Sequence, residues 1–63
     1  MCLSTVYRNE KNADNIVLQN VMLIECEGGK VKLTDILGRE AVLDGELKSA
    51  DLTGATVIVR TLQ

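Results

Sequence analysis

The chain reads as short extended runs of apolar residues separated by turn signals, with no stretch whose apolar positions recur at helical spacing. Residues 3–7 form the first run, where Thr5, Val6 and Tyr7 favour a strand. Residues 8–15 follow with balanced charge and three asparagines, Asn9, Asn12 and Asn15, which predicts an exposed loop. Residues 17–27 and 30–37 flank Gly28 and Gly29, and a Gly-Gly pair between two such runs predicts a two-residue hairpin with positive φ at both glycines. That turn fixes a register in which Glu27 faces Lys30, Glu25 faces Lys32, Cys26 faces Val31 and Ile24 faces Leu33. One face is then charged and the other is core, with Cys26 on the core side as a small hydrophobe. Toward the base of the hairpin the same register sets Val21 opposite Ile36 and Leu23 opposite Thr34, an outward apolar patch suited to a dimer contact or a neighbouring strand.

Gly38 interrupts the ladder, and Asp44-Gly45 between residues 41–43 and 46–48 carries a second two-residue hairpin signal, which would bring Val42 against Leu47 in the core. A bend at residues 52–54 leads into a last run, residues 56–62, apolar on both faces and therefore central or covered by a partner. The expectation is an all-β fold: one domain over residues 1–63, a small barrel of about six short antiparallel strands.

At 63 residues such a domain is marginal. Apolar burial contributes roughly 90 kcal/mol, and ordering the chain costs roughly 95 kcal/mol. A chain so balanced needs a disulfide, a metal or a second copy of itself, and the composition favours the copy. Nine Leu, seven Val and four Ile, with one Tyr and no Phe, Trp or His, suit self-complementary aliphatic contacts. The formal charge of −2 offers phosphate backbones no attraction, so nucleic acid is disfavoured. The longest apolar run, residues 21–24, is far below a membrane span, and no basic-then-apolar leader opens the chain, so a cytoplasmic protein with no membrane partner is expected.

The reducing cytoplasm disfavours a disulfide between Cys2 and Cys26. Without histidine, conventional zinc sites and His-based catalysis are excluded within one chain, and no enzyme is expected. Asp35, Asp44 and Asp51 sit near turns as caps and turn formers rather than as an acid/base pair. Lys30, Lys32 and Lys48 make a basic stripe that the interleaved Glu25, Glu27 and Glu46 cancel.

Cys2 stands apart because of its position. With Met1 removed, its α-amine and thiol lie on adjacent carbons and close a five-membered chelate ring; with Met1 kept, the Met1 amine, the Cys2 amide nitrogen and the thiolate can chelate together. Either set is nitrogen and sulfur, which suits Ni(II) or Cu(II) in a plane, and two such termini at a two-fold axis supply four donors.

Several segments together carry a family resemblance: residues 1–7 with Met1, Cys2, Leu3 and then Val6-Tyr7, residues 20–24, residues 31–38 and residues 45–52. In these the chain resembles the CooT family of small nickel-binding proteins. The resemblance implies a cytoplasmic homodimer of SH3-like barrels that binds Ni(II) through the residue matching Cys2, with a nickel enzyme, carbon monoxide dehydrogenase, as client. The expected function is thus a non-enzymatic metallochaperone or nickel store. The alternative is a small-barrel RNA-binding or protein-interaction module in which Cys2 is incidental.

Overall fold

The computed structural model describes residues 3–61. Five strands follow in order: β1 (Ser4–Arg8), β2 (Ile16–Glu27), β3 (Lys30–Asp35), β4 (Glu40–Asp51) and β5 (Thr56–Thr61). They form a closed barrel in which each strand pairs with the next and β5 returns to β1. Four of these pairings are antiparallel; β5 lies parallel to β1, with Val57 beside Val6 and Val59 beside Arg8. The all-β barrel expected from the turn pattern is therefore present, with five strands rather than six and one parallel seam.

The missing strand is explained at Asp44-Gly45. No turn forms there, and β4 runs through both residues as one twelve-residue strand. Its first part pairs with β3, from Thr34–Glu40 to Lys30–Asp44, and its second part pairs with β5, from Gly45–Thr61 to Asp51–Thr56. Gly45 sits where the strand passes from one partner to the other. A Cβ built there would lie 2.0 Å from the Arg60 carbonyl oxygen, so the glycine is required by close backbone approach and not by a turn. Val42 and Leu47 consequently never meet in a core; Val42 is exposed, and Leu43 turns inward because its partner Val31 does.

β2, also twelve residues long, is shared in the same way, with residues 16–21 on β1 and residues 21–27 on β3. The corner between the two halves is made by Asn20, whose φ is 56°, and by a bulge between Val21 and Leu23. Two long bent strands, each serving two neighbours, let five strands close around a narrow interior.

The predicted Gly28-Gly29 hairpin is present, with φ of 57° and 77°, and its register holds from Glu27–Lys30 through Leu23–Thr34. The bulge then consumes one residue, so Val21 faces Asp35 instead of Ile36 and turns into the core. Seven side chains form that core: Val6, Val21, Val31, Leu33, Leu43, Val57 and Val59, with Val17, Leu18, Ile24 and Ala41 packed against it. The chain leaves 4336 Å² exposed, somewhat more than the roughly 4,000 Å² of a typical monomer of this mass.

Candidate functional site

The candidate metal ligand, Cys2, lies outside the described residues, two positions ahead of β1. The structure does define the scaffold behind it. Ser4 pairs with Val21 on one side, and on the other the Thr5 amide donates to the Ala55 carbonyl at 3.0 Å while Thr5 pairs with Thr56. The beginning of β1 is thus inserted between two strands, in the middle of the sheet rather than at a loose edge.

Turns flank that beginning on both sides. The β4–β5 turn is held by Asp51, whose Oδ1 accepts from the amides of Thr53 at 3.1 Å and Gly54 at 2.9 Å. The β3–β4 turn is held by Asp35, which is fully buried. Its Oδ1 accepts from the amides of Leu37 at 2.9 Å and Arg39 at 2.8 Å, and its Oδ2 accepts from the Arg39 Nε at 2.6 Å. Burial works against the charge, but the Arg39 amide, the Arg39 guanidinium and the Leu37 amide together outweigh it and hold the carboxyl below its ordinary range. Asp35 and Asp51 are therefore caps, as their positions near turns predict. Asp44 is not a turn former: it lies within β4 and pairs with Lys30.

Cys26 departs from expectation. It is exposed, although its partner Val31 is fully buried. The reason is coverage: Val31 has β4 on its far side, whereas the β1 ladder has already ended at Val21, so β2 at Cys26 is bordered by β3 on one side and by no strand on the other. Cys26 lies near the hairpin tip, five residues beyond Val21, or roughly 17 Å along the strand. The structure does not bring Cys26 to the beginning of β1. Around it is an open cavity lined also by Glu27, Lys30, Gly45, Glu46 and Leu47. Among the described residues no group of three or more His, Cys, Asp or Glu side chains is arranged to hold a metal ion, and no helix is long and apolar enough to cross a membrane.

The lysines expected to pair across the hairpin instead reach the next strand. The register opposite Glu27 and Glu25 is as expected, but Lys30 bonds Asp44 and Lys32 bonds Glu40 at 3.1 Å. That hydrogen bond and the charge of Glu40 raise the Lys32 pKa against the opposing effect of burial. The outer surface of β2, β3 and β4 is consequently acid, base, acid in successive strands, a solvated ladder. Lys48 donates to the Asn9 carbonyl at 3.2 Å.

Asn9 was legible only as part of a loop. With φ of 65° it ends β1, and its side chain locks onto β5: Oδ1 accepts from the Thr61 amide at 2.9 Å and Nδ2 donates to Thr61 Oγ1 at 3.3 Å. An asparagine just past a strand, able to adopt left-handed backbone, is the only signal that could have marked it.

The model of one protein family, described as CO dehydrogenase accessory protein CooT, matches residues 1–60. No curated protein matches the chain.

Proposed function

The chain belongs to the CooT family of CO dehydrogenase accessory proteins, and from that premise we propose that it is a non-catalytic carrier or store of Ni(II) that binds the ion through Cys2. The observation that carries this reading is the family match, which spans Cys2 and nearly the whole chain. Donor chemistry agrees. A cysteine thiolate with an amine or amide nitrogen beside it gives the sulfur and nitrogen donors that Ni(II) favours, and both groups release protons on binding, so affinity rises with pH. The ion is cargo for a nickel enzyme, carbon monoxide dehydrogenase being the client that the family description supports. In this reading the protein acts as a homodimer in the cytoplasm, and two Cys2 donor sets together would supply four donors to one ion.

The test is a nickel titration followed by thiolate-to-metal absorption on wild type, Cys2→Ser and Cys26→Ser. The expected result is loss of the absorption band with Cys2→Ser and retention with Cys26→Ser. Because Cys26 is exposed, its variant is a control that matters: a band that follows Cys26 instead of Cys2 overturns the reading.

A further inference from the structure

We propose that the open edge of β2, residues 22–27, takes up a basic extended segment of another protein as an added strand, with lysine or arginine side chains at alternate positions set against Glu25 and Glu27. β1 leaves β2 at Val21, and from there to the hairpin tip β2 has β3 on one side only. Among the described residues, the amides and carbonyls of residues 22–27 that point away from β3 bond to no other element. Six residues span roughly 20 Å, the length of an ordinary strand. Natural edges are commonly blunted by lysine or proline, and β2 contains neither.

Charge identifies the occupant. Across the outer face of this sheet the sign alternates from strand to strand, with Glu40 and Asp44 on β4, Lys30 and Lys32 on β3, and Glu25 and Glu27 on β2. Both lysines are taken by β4, Lys30 by Asp44 and Lys32 by Glu40. Neither Glu25 nor Glu27 forms an ion pair among the described residues, and Glu25 acts on Lys32 through its charge alone. The alternation therefore stops on an acidic strand, and the sign that continues it is positive. Side chains two apart share a face, so basic residues at i and i+2 of the incoming strand stand about 5 Å from both glutamates, measured between Cβ atoms. A second copy of β2 in that place would set glutamate against glutamate, which is destabilising. An RNA backbone would likewise meet like charge.

The other face selects the residue between the two basic ones. Ile24 packs on the core, and Cys26 borders an open cavity lined also by Gly29, Gly45 and Leu47. The incoming side chain beside Cys26 lies on that same face, where an aliphatic residue the size of valine suits the space. Main-chain bonds then give affinity and the alternate side chains give selectivity.

The probe is a blocked peptide of about eight residues, alternating lysine and valine, titrated into the isotope-labelled full chain and followed by backbone amide shifts. The expected result is saturable binding with the largest shifts at residues 22–27, roughly tenfold weaker in Glu25→Gln/Glu27→Gln. Binding should be unchanged in Glu10→Gln/Asp14→Asn, which removes two exposed acids elsewhere. The same peptide with every amide N-methylated keeps its charge but loses the donors that a strand needs, and should not bind; nor should a peptide alternating glutamate and valine. Binding that survives Glu25→Gln/Glu27→Gln, that falls as far in Glu10→Gln/Asp14→Asn, that the methylated peptide retains, or that moves other residues overturns the proposal, as does no binding at millimolar peptide. Shifts at residues 22–27 that depend on protein concentration alone would assign the edge to a second copy, and equal shifts with a short uridine oligonucleotide would assign it to RNA; either result also overturns it. None of these outcomes depends on nickel.

Discussion

Gly29 and Gly45 present the same local signal, a turn-forming residue followed by glycine between two extended runs, and the barrel uses them in opposite ways. Gly29 has φ of 77° and open space where a Cβ would go; it is needed for conformation alone. Gly45 is needed for proximity, since β4 passes there against the Arg60 carbonyl. Conformation is a local property and can be read from neighbouring residues. Proximity depends on which strand arrives from elsewhere in the chain, and Thr61 is sixteen residues away from Gly45 in sequence but paired with it.

Substitutions at the two glycines put the largest numbers on this contrast. Gly45→Ala should cost about 3 kcal/mol or more, because the backbone of β5 must move to admit a methyl group; urea unfolding should show a far lower midpoint or no cooperative transition. An unfolding midpoint close to wild type would mean that β4 is not in contact with β5 at this point. Gly29→Ala should cost only about 1 kcal/mol, the strain of a left-handed alanine in a turn with free space.

Between these in expected effect lies Asp35, the buried cap of the β3–β4 turn. Asp35→Asn keeps the shape but removes the charge that three donors face, so its stability near neutral pH should fall below wild type. The pH dependence has a definite sign. The folded-state carboxyl is held below its ordinary value, so its stabilising effect is present above the ordinary carboxylate pKa and is lost as pH falls through the folded value. Wild type should therefore lose stability on acidification over that window, and Asp35→Asn should lose less; parallel acid titrations by circular dichroism check this, and coincident slopes would remove Asp35 as the source.

The smallest effect belongs to the exposed ladder. Lys30→Gln breaks the pair with Asp44, in which both side chains are well over half exposed, and should change stability by less than about 0.5 kcal/mol. A larger loss by urea unfolding would show that the outer charges do more than mark register.

The same distinction between local and long-range causes explains what could be read of the fold and of the candidate site. The Gly28-Gly29 hairpin, its register down to Leu23, the turn after Asp51 and the strand character of residues 56–61 all follow from short-range chemistry, and all are present. The errors cluster where a strand changes partners. At the β2 corner, Asn20 and the bulge shift Val21 from an outward position to the core. At the β4 corner, Asp44-Gly45 is strand. Near the hairpin tip, Cys26 has the parity of a core residue yet lies beyond the last neighbour that could cover it.

The sequence alone determined the class of structure, since period-two runs and glycine turns leave no helical alternative, and it singled out Cys2 as a candidate ligand, because a thiol beside a chain nitrogen can chelate through covalent adjacency alone. Tertiary structure decided how many strands those runs become, which faces stay open and what surrounds the beginning of β1. The physical reason is that pairing partners and coverage are set by non-local contacts: a strand's inner face is known only once the strands on both of its sides are in place.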